Sequence, residues 1–429
     1  SRVRILLLGA SGFIGRELFA ALAVRGHRVV AAVRDPEASP PFSSEPAIRV
    51  DLNGDTRPEA WLPRLAGIDA VVNCAGILQA SRGQSIGAIH RDGPIALFKA
   101  CAQAGVRRVV QISAISATTE AATAYATTKL AADDYLRSTA LEWVVLRPSL
   151  VHARGAFGGT ALFRGMAALP FAIPVPGDGG QRFQPIHVSD LSRVVVLALE
   201  GDTLVRQTLE PVGPEAVALR TILEDYRRWL GFGGAPVIAV PRTLVRLACR
   251  AGDLAGGPLN STSLAQLEHG NTGDAEAFSR ATGISPRGWK ESLAAEPAHA
   301  QDRWHARLFF VRPALRYALA FLWIISGVTG LIDLRAWALL MVSRLSIGIG
   351  TALAGLALAC AIDLLIAVLL LRRWKPRRLA FIQVAAIAAY TAGATVLWPS
   401  LWVEPLGPLF KNVPIAVAVL AWGAIEEDR

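Results

Sequence analysis

Cysteine is scarce in this sequence, with four residues among 429. No two of the four are close enough to form a CxxC pair, and no histidine lies at a zinc-ligand spacing from them. This usage favours neither a disulfide scaffold nor a zinc site. We therefore expect reduced thiols in a cytosolic setting and predict no metal site.

Charge is also scarce, and it is unevenly distributed. Only 18% of the residues are charged and 52% are hydrophobic, a balance that is typical of membrane proteins. Charges of both signs are frequent up to about residue 312, whereas long stretches beyond it carry none. The net charge of +10 comes without a basic nucleic-acid-binding motif, so we expect no nucleic acid and favour a basic rim that faces anionic lipid.

The uncharged C-terminal quarter contains apolar runs at 317–332, 345–371 and 379–398, and a shorter one at 413–425. The first three are near or above the roughly 17–25 residues that span a membrane as a helix. Core helices of a soluble protein rarely run so long without a charge. The sequence therefore predicts about four transmembrane helices, of which the fourth needs its neighbours to span fully.

Five basic residues between the second and third runs predict the orientation: Arg372, Arg373, Lys375, Arg377 and Arg378. Basic loops favour the cytoplasmic side of a membrane. We expect a bacterial-type inner (plasma) membrane protein with everything N-terminal of residue 312 in the cytoplasm. Asp363, inside the second run, is either a functional residue or a structural partner of Gln383 or Tyr390.

The N-terminus "SRVRILLLGASGFIG" predicts a buried first strand, a glycine turn and a helix, rather than a secretory signal. Gly9, Gly12 and Gly15 follow one another at a spacing of three, which differs from the GxGxxG dinucleotide fingerprint. A glycine turn before a helix can bring backbone N–H groups against a pyrophosphate. Further strand segments, the first at 48–51 and ending at Asp51 and the others at 68–76, 107–116 and 142–152, alternate with helices and predict a doubly wound parallel sheet.

The segment "SAISATTEAATAYATTKL" carries the predicted chemistry. Tyr125 and Lys129 are one helical turn apart and so point the same way. A lysine ammonium near a phenol favours the phenolate and lowers its pKa, which suits Tyr125 to proton transfer. Ser113, at the end of the preceding strand, can polarise a carbonyl group.

The first 300 residues resemble the short-chain dehydrogenase/reductase superfamily, of the extended or atypical kind that includes the nucleotide-binding accessory subunit of respiratory complex I. The matching motifs are "GASGFIG", "VDL", "NCAG", "YATTK", "LRPSLV" and "PIHVSDLSRVVVLAL". The remainder, with "LWIISGVTGL" and "LWVEPLGPLFKNVP", resembles a DoxX-like membrane domain. The expected fold is α/β, a Rossmann-like doubly wound parallel sheet with a small substrate lobe, followed by an all-α transmembrane bundle. The expected domains are 1–300, with the substrate lobe mainly within 156–300, a tether at 301–312 and the membrane domain at 313–429.

The resemblance implies site roles. Tyr125 would be the acid/base, and Lys129 would hold the nicotinamide ribose. Ser113 departs somewhat from the superfamily's pattern, because extended members usually keep the serine further from the tyrosine. Ser116 is an alternative to Ser113. The other implied cofactor-binding residues are Gly9, Ser11, Gly12, Phe13, Ile14, Gly15, Asp51, Leu52, Ala75, Gly76, Pro148 and Ser149.

Arg34 bears on the choice of nicotinamide cofactor. An acidic side chain at the end of the second strand favours NAD, and an arginine favours NADP. The strand ends "AAVRDP", with Arg34 before Asp35. We expect NADP(H) rather than NAD(H), the alternative being that Arg34 is an ordinary surface residue.

Three features of the segment that follows have two readings each. Arg164 and Arg182 are either holders of an anionic substrate or common surface arginines. His187 is either structural or catalytic. "PRTLVRLACRAG", with arginines at 242, 246 and 250, is either a helix on a membrane surface or an ordinary amphipathic helix.

The favoured function is a membrane-anchored NADP(H)-dependent oxidoreductase that acts on a lipid-soluble carbonyl or quinone. One alternative is a non-catalytic NADP(H)-binding subunit, structural or sensing, because complex I accessory subunits bind cofactor without known turnover. Another alternative is an epimerase or dehydratase that acts on a lipid-linked substrate. A further one is that the membrane bundle itself conducts or transfers a molecule or ion, with Asp363 involved. The expected partners are the lipid membrane, a small lipophilic substrate and other subunits of a membrane complex.

Overall fold

The computed structural model describes residues 2–38, 40, 43–77, 84–255, 259–405 and 407–426. The chain divides into two compact units, Ser1–Ala306 and Arg307–Arg429. The strands are β1 (Arg4–Leu8), β2 (Arg28–Val33), β3 (Ile48–Arg49), β4 (Ala70–Asn73), β5 (Arg108–Ile112), β6 (Glu142–Leu146), β7 (Val151–His152), β8 (Ile173–Pro176), β9 (Arg182–Phe183), β10 (Ile186–His187), β11 (Gln207–Leu209), β12 (Val217–Ala218) and β13 (Val237–Val240). The helices of the first unit are α1 (Phe13–Val24), α2 (Gly93–Ala104), α3 (Ala124–Arg137), α4 (Gly158–Ala167), α5 (Val188–Glu200), α6 (Leu219–Trp229), α7 (Arg242–Ala255), α8 (Ser261–His269), α9 (Ala275–Thr282) and α10 (Trp289–Ala295).

A seven-stranded sheet forms the centre of the first unit, in the order β11-β6-β5-β4-β1-β2-β3, with every pairing parallel. The central strands are continuous apolar runs because helices cover both of their faces. In β1, Ile5 and Leu7 pack with α1 and α5 on one face, and Leu6 and Leu8 pack with α2 and α3 on the other. The predicted Rossmann-like fold is confirmed.

The predicted strand segments differ from the observed strands in detail. The third strand was expected to extend to Asp51, but β3 ends at Arg49, and the Asp51 carboxylate instead accepts a hydrogen bond from the backbone N of Asn53 at 3.1 Å. The segment 142–152 forms two strands, β6 and β7, because Pro148 between them has no N–H to donate. The edge strand β11 was not predicted.

Smaller sheets and helices form a lobe beside the main sheet. β8 pairs with β13 in parallel, and β9 pairs with β12 in antiparallel orientation. Their apolar faces pack with α4 and α6 around a cluster that includes Phe163, Ile173, Tyr226 and Trp289. This lobe lies in the region where the substrate lobe was predicted.

The second unit is helical. Its helices are α11 (Ala300–Ile332, which begins before the unit boundary), α12 (Leu334–Leu345), α13 (Ile349–Leu371), α14 (Pro376–Leu397) and α15 (Asn412–Ile425). Among the described residues, α11, α13 and α14 are long and apolar enough to cross a membrane, and α15 is a shorter apolar helix. The residues predicted as a tether, 301–312, lie within α11, and Pro313 follows them inside the same helix.

Polar side chains pair within this helical unit. The Asp363 carboxylate accepts hydrogen bonds from Ser326 Oγ at 2.6 Å and from Tyr390 OH at 2.7 Å. Gln383 instead accepts a hydrogen bond from Trp323 Nε1 at 2.8 Å. Asp363 therefore has the structural pairing with Tyr390 that the sequence suggested, but not the one with Gln383.

Candidate functional site

The turn between β1 and α1 requires glycine at two positions. Gly9 has a φ of +73°, and a Cβ there would lie 2.9 Å from Ala75 Cα. A Cβ on Gly15 would lie 2.0 Å from the carbonyl oxygen of Gly9, so the first turn of α1 packs directly on the loop. Gly12 is the N-cap residue and provides no side-chain cap. The backbone N–H groups at this helix start can therefore bind an anion, as a dinucleotide pyrophosphate requires.

Helix α3 positions the predicted catalytic pair. Its N-cap residue Thr123 accepts a hydrogen bond from Ala126 N at 3.1 Å, which fixes the start of the helix just before Tyr125. Tyr125 is half-buried and Lys129 is buried, with Lys129 Nζ 5.6 Å from the Tyr125 ring centroid. The two side chains lie on one face, as their spacing predicts.

The protonation of Tyr125 differs from the expectation. Burial raises the pKa of Tyr125 to about 12, with the negative charge of Asp133 acting in the same direction. Burial also lowers the pKa of Lys129, although Asp133 counteracts that effect. The expected lowering of the Tyr125 pKa by Lys129 is thus wrong for this arrangement, because burial dominates. At neutral pH Tyr125 is a phenol that can donate a proton to a carbonyl oxygen.

The two candidate serines have different surroundings. Ser113 and Ser116 are both buried and both line the same cavity. Ser113 Oγ donates a hydrogen bond to Asp133 Oδ2 at 2.5 Å, so its proton is already bound by a side chain of the protein and is not offered to a substrate. This contact favours Ser116 as the hydroxyl that would polarise a substrate.

Two residues of the site were not predicted. Asp133 is completely buried and follows Lys129 by one further helical turn. His90 lies edge-on to the Tyr125 ring, 5.2 Å between centroids, and its Nε2 accepts a hydrogen bond from Ile77 N at 3.0 Å. Burial lowers the pKa of His90 to about 2, so the ring is neutral. The four-residue spacing could have indicated Asp133, whereas nothing in the local sequence indicates His90.

A cavity of about 460 Å³ joins the glycine turn to the lobe. At one end it is walled by the turn and the ends of β4 and β5, and at the other by apolar side chains of α4, α7 and α8. The predicted site residues in its wall are Gly12, Phe13, Ile14, Gly15, Ala75, Gly76, Ser113, Tyr125, Lys129, Pro148 and Ser149. No cluster of metal-binding side chains occurs in the described part of the chain.

The remaining predicted cofactor residues lie outside the cavity wall. Arg34 and Asp51 are exposed beyond the ends of β2 and β3. Leu52 is a core residue, packed with the helices on one face of the sheet. Gly9 and Ser11 belong to the turn itself, where the carbonyl oxygen of Ser11 accepts a hydrogen bond from Arg16 Nε at 2.7 Å.

Arg164 and His187 have structural roles. The Arg164 guanidinium is buried and donates hydrogen bonds to the carbonyl oxygens of Ala153 and Arg154, each at 2.7 Å, so it holds the backbone rather than an anionic substrate. His187 Nδ1 accepts a hydrogen bond from Ser189 N at 3.2 Å and caps α5. Arg182 is exposed and donates to the carbonyl oxygen of Ala216 at 3.3 Å.

Two parts of the chain match known protein families. Residues 9–165 match an NAD(P)H-binding family. Residues 320–420 match the DoxX-like family. Together with the three long apolar helices, the second match indicates membrane association.

Individual relatives match a little over half of this chain. Ceramide reductase of Caulobacter vibrioides is 28% identical over 245 residues, which are 57% of this chain and 73% of that protein. The mitochondrial NADH dehydrogenase [ubiquinone] 1 alpha subcomplex subunit 9 of Arabidopsis thaliana is 27% identical over 253 residues, 55% of this chain and 62% of that protein.

A solved structure has the same fold. UDP-glucose 4-epimerase of Thermus thermophilus, in complex with NAD, has a TM-score of 0.53 and 22% sequence identity. The match covers 71% of this chain and 99% of the epimerase. The predicted resemblances are confirmed: the chain combines an NAD(P)H-binding domain of Rossmann type with a C-terminal DoxX-like domain.

Proposed function

We propose that this protein is a membrane-anchored, NADP(H)-dependent oxidoreductase that reduces a carbonyl or quinone group on a lipid-soluble molecule. The observation that carries the proposal is the single cavity that joins three features. It has a glycine turn at one end, Tyr125 and Lys129 in the middle and an apolar lobe at the other end. An enzyme that reduces a lipophilic carbonyl needs all three in one enclosed space.

The residues of the first unit fit a dinucleotide cofactor. The close packing of Gly9 and Gly15 keeps the turn free of side chains, so that the uncapped start of α1 can bind a pyrophosphate. Lys129 would hold the ribose next to the nicotinamide, and Pro148 would contact the ring. When bound, the cofactor supplies the hydride.

The chain's own residues would complete the reduction. Tyr125, a phenol with a raised pKa, donates its proton to the carbonyl oxygen as that oxygen gains negative charge. Ser116 is available in the cavity wall to donate a hydrogen bond to the same oxygen. The apolar side chains of the lobe exclude water from the reacting groups.

The walls of the lobe support a lipophilic substrate. Phe157, Leu162, Phe163, Met166 and Leu264 line the part of the cavity beyond Tyr125. Such a surface binds acyl or isoprenoid chains through the hydrophobic effect. One relative is named ceramide reductase, and that name supports a reductase with a lipid substrate.

Arg34 supports NADP(H) over NAD(H). It is exposed directly after β2 and is the first residue beyond the strand. The carboxylate of the next residue, Asp35, accepts a hydrogen bond from Glu37 N at 3.1 Å and so has a local partner. An exposed guanidinium at this position suits a 2′-phosphate.

The test uses the full chain, purified and reconstituted in lipid. NADPH oxidation is followed with long-chain ketones, ceramide-type ketones and quinones, and NADH is run in parallel to test the nucleotide preference. We expect Tyr125→Phe to lower kcat by about 10²-fold or more, because the proton donor is lost, while bound-NADPH fluorescence is retained. Tyr135→Phe, on the same helix but packed in the core, is the control and should keep full activity.

Equal turnover in the wild type and in Tyr125→Phe would refute the proposal. Bound nucleotide without turnover on any of these substrates would favour the second candidate, a nucleotide-binding subunit of a membrane complex. The specific observation for that candidate is the similarity to the Arabidopsis subunit.

A further inference from the structure

Helix α7 has three distinct faces. At about 100° per residue, Val245, Cys249 and Gly252 fall on one side of the helix. Val245 and Cys249 line the cavity, and Cys249 is 1% exposed. A Cβ on Gly252 would lie 1.8 Å from the carbonyl oxygen of Leu259, so this face packs against the following segment. The inner face of α7 is thus a wall of the proposed substrate site.

A second face of α7 is apolar and points away from the unit. Leu244, Leu247 and Leu254 are 56%, 64% and 94% exposed. Single exposed leucines are common on proteins, but these three lie within about 80° of one another on one helix. Ala248 and Ala251 are also exposed and lie on the same side. The packing of the unit does not account for this face.

The third face is basic and borders the apolar face. Arg242, Arg246 and Arg250 are spaced four residues apart and are exposed. Within the described ranges, none of them forms a salt bridge with an acidic side chain. The acidic residue of the helix, Asp253, accepts hydrogen bonds from Ser261 N at 2.9 Å and Ser261 Oγ at 2.6 Å.

We propose that α7 docks the first unit on an anionic lipid surface. Leu244, Leu247 and Leu254 would insert among the acyl chains, and the arginines beside them would bind lipid phosphates. The basic face favours an anionic surface over a neutral one. The same polypeptide contains the candidate membrane-spanning helix α11, which begins at Ala300, so the chain is expected to be attached to a membrane.

Docking through α7 has a consequence that depends on the proposed function. The helix that contacts lipid on its outer face lines the cavity on its inner face, through Val245 and Cys249. A lipophilic substrate would then enter from the bilayer beside α7 without crossing water. Docking itself does not depend on turnover, so the two proposals can fail separately.

The experiment measures the contact of α7 with lipid directly. Full-chain Leu247→Cys and, separately, Leu254→Cys are labelled with a fluorophore and reconstituted in nanodiscs that contain doxyl-labelled lipid. One set of nanodiscs is phosphatidylcholine alone and the other includes phosphatidylglycerol. We expect quenching at both positions, at least about twofold stronger in the anionic nanodiscs. The labelled wild type corrects for the natural cysteines.

Two controls are available in the same unit. Val24→Cys labels an apolar side chain that is 88% exposed on α1, and it should show no preference for anionic lipid. Adding Arg246→Gln and Arg250→Gln to Leu247→Cys should remove the anionic preference. Adding Arg57→Gln and Lys290→Gln instead, which removes two exposed charges outside α7, should leave it intact.

Three results would overturn the proposal. The first is equal, weak quenching at Leu247→Cys, Leu254→Cys and Val24→Cys. The second is strong quenching that does not respond to lipid charge or to the arginine substitutions. The third is a concentration-dependent blue shift of the label in detergent without lipid, which would identify a second copy of the chain as the occupant of this face. None of these readouts needs a turning-over enzyme, so NADPH oxidation remains a separate measurement.

Discussion

Asp133 links the side chains on which the proposed reaction depends, although it does not line the cavity. Its carboxylate accepts the hydrogen bond of Ser113, and its charge raises the pKa values of both Tyr125 and Lys129. The raised Tyr125 pKa keeps the phenol protonated. The effect on Lys129 opposes the loss of its charge through burial. Asp133 is therefore a positioning residue that favours the proton-donating form of the site.

Asp133→Asn tests this role, because the amide keeps the size and an acceptor oxygen but removes the charge. Without that charge the pKa values of Tyr125 and Lys129 both fall. Reduction needs the protonated form of each group, which is present below its pKa. The alkaline limb of kcat/KM should therefore move to lower pH. The measurement is the pH dependence of NADPH-driven reduction from about pH 6 up to the most alkaline pH at which the protein stays folded, because the pKa of Tyr125 is about 12.

Asp134→Asn is the matched control, because Asp134 is the next residue, is exposed and pairs with Arg137 on the surface. It should leave the profile where it is. A profile that is the same in Asp133→Asn and the wild type would mean that Asp133 only fills space. A loss of activity at every pH without a shift would mean that it acts through folding.

The sequence predicts some of these residues and not others, for physical reasons. One-turn spacing places Tyr125 and Lys129 side by side, as observed. The direction of the Tyr125 pKa shift could not be predicted, because spacing does not report how far a side chain is withdrawn from water. His90 reaches Tyr125 through the tertiary fold, from a segment 35 residues earlier. Such contacts have no local signature.

Strands could be predicted from the sequence where burial on both sheet faces requires a long apolar run. The apolar runs of β1, β4, β5 and β6 identify themselves because both sheet faces are covered. The third strand was predicted, but its end was not, because β3 has only two residues; β11 has three residues and is too short to show a period. The basic stripe of α7 predicts an amphipathic helix, and the structure adds its third, cavity-lining face.

The start of β5 is held by one buried arginine that connects three elements. Arg108 donates hydrogen bonds to Glu142 Oε2 at 2.6 Å, where β6 begins, and to the Gly201 carbonyl oxygen at 2.7 Å, just after α5. It also donates to the Ala198 carbonyl oxygen and to Asp202. Removing this guanidinium takes a hydrogen bond from the buried carbonyl oxygen of Ala198 and leaves the Glu142 carboxylate with Arg107 alone.

We predict that Arg108→Ala destabilises the first unit by about 2–3 kcal/mol, since it removes a buried guanidinium that pairs with a partly buried carboxylate and with carbonyl oxygens. That loss corresponds to a melting temperature lower by roughly 3–5 °C for a unit of this size. The measurement is thermal unfolding of the detergent-solubilised full chain, followed by intrinsic fluorescence.

The neighbouring residue provides the control for that substitution. Arg107 donates to the same carboxylate, Glu142, at 2.5 Å, but its side chain is 70% exposed. Water can replace its hydrogen bond, so Arg107→Ala should change the melting temperature little. Equal destabilisation by the two substitutions would contradict the argument from burial.

The two units could be distinguished by composition alone, because a surface in water requires charged residues and a helix in lipid requires apolar ones. A soluble α/β unit needs both charge signs on its surface, and a spanning helix needs some 20 residues with few charges. What composition could not predict is how the second unit arranges its few charged and polar groups. Asp363 with Tyr390, and Glu426 with Arg316, are pairs that form only once the helices pack.

The pairing of Glu426 bears on the orientation in the membrane. Glu426 follows α15, and its carboxylate accepts a hydrogen bond from Arg316 of α11 at 2.6 Å and lies 3.5 Å from Arg373 of the basic loop. The end of α15 and the loop between α13 and α14 therefore lie at the same end of the bundle. Because a basic loop favours the cytoplasm, this end should be cytoplasmic and the loop before α15 should lie on the other side.

Single cysteines at the two loops test that orientation. Trp374→Cys lies in the basic loop and Ser400→Cys in the segment after α14, and both positions are exposed. In bacterial expression, a membrane-impermeant maleimide should label Ser400→Cys in spheroplasts and Trp374→Cys only in inverted vesicles. The reverse pattern would put the first unit outside the cell, away from the cytosolic NADPH that the proposed reaction needs. Labelling of both cysteines from the same side would mean that the chain does not cross the membrane just once between them. That result would contradict α14 as a single membrane span.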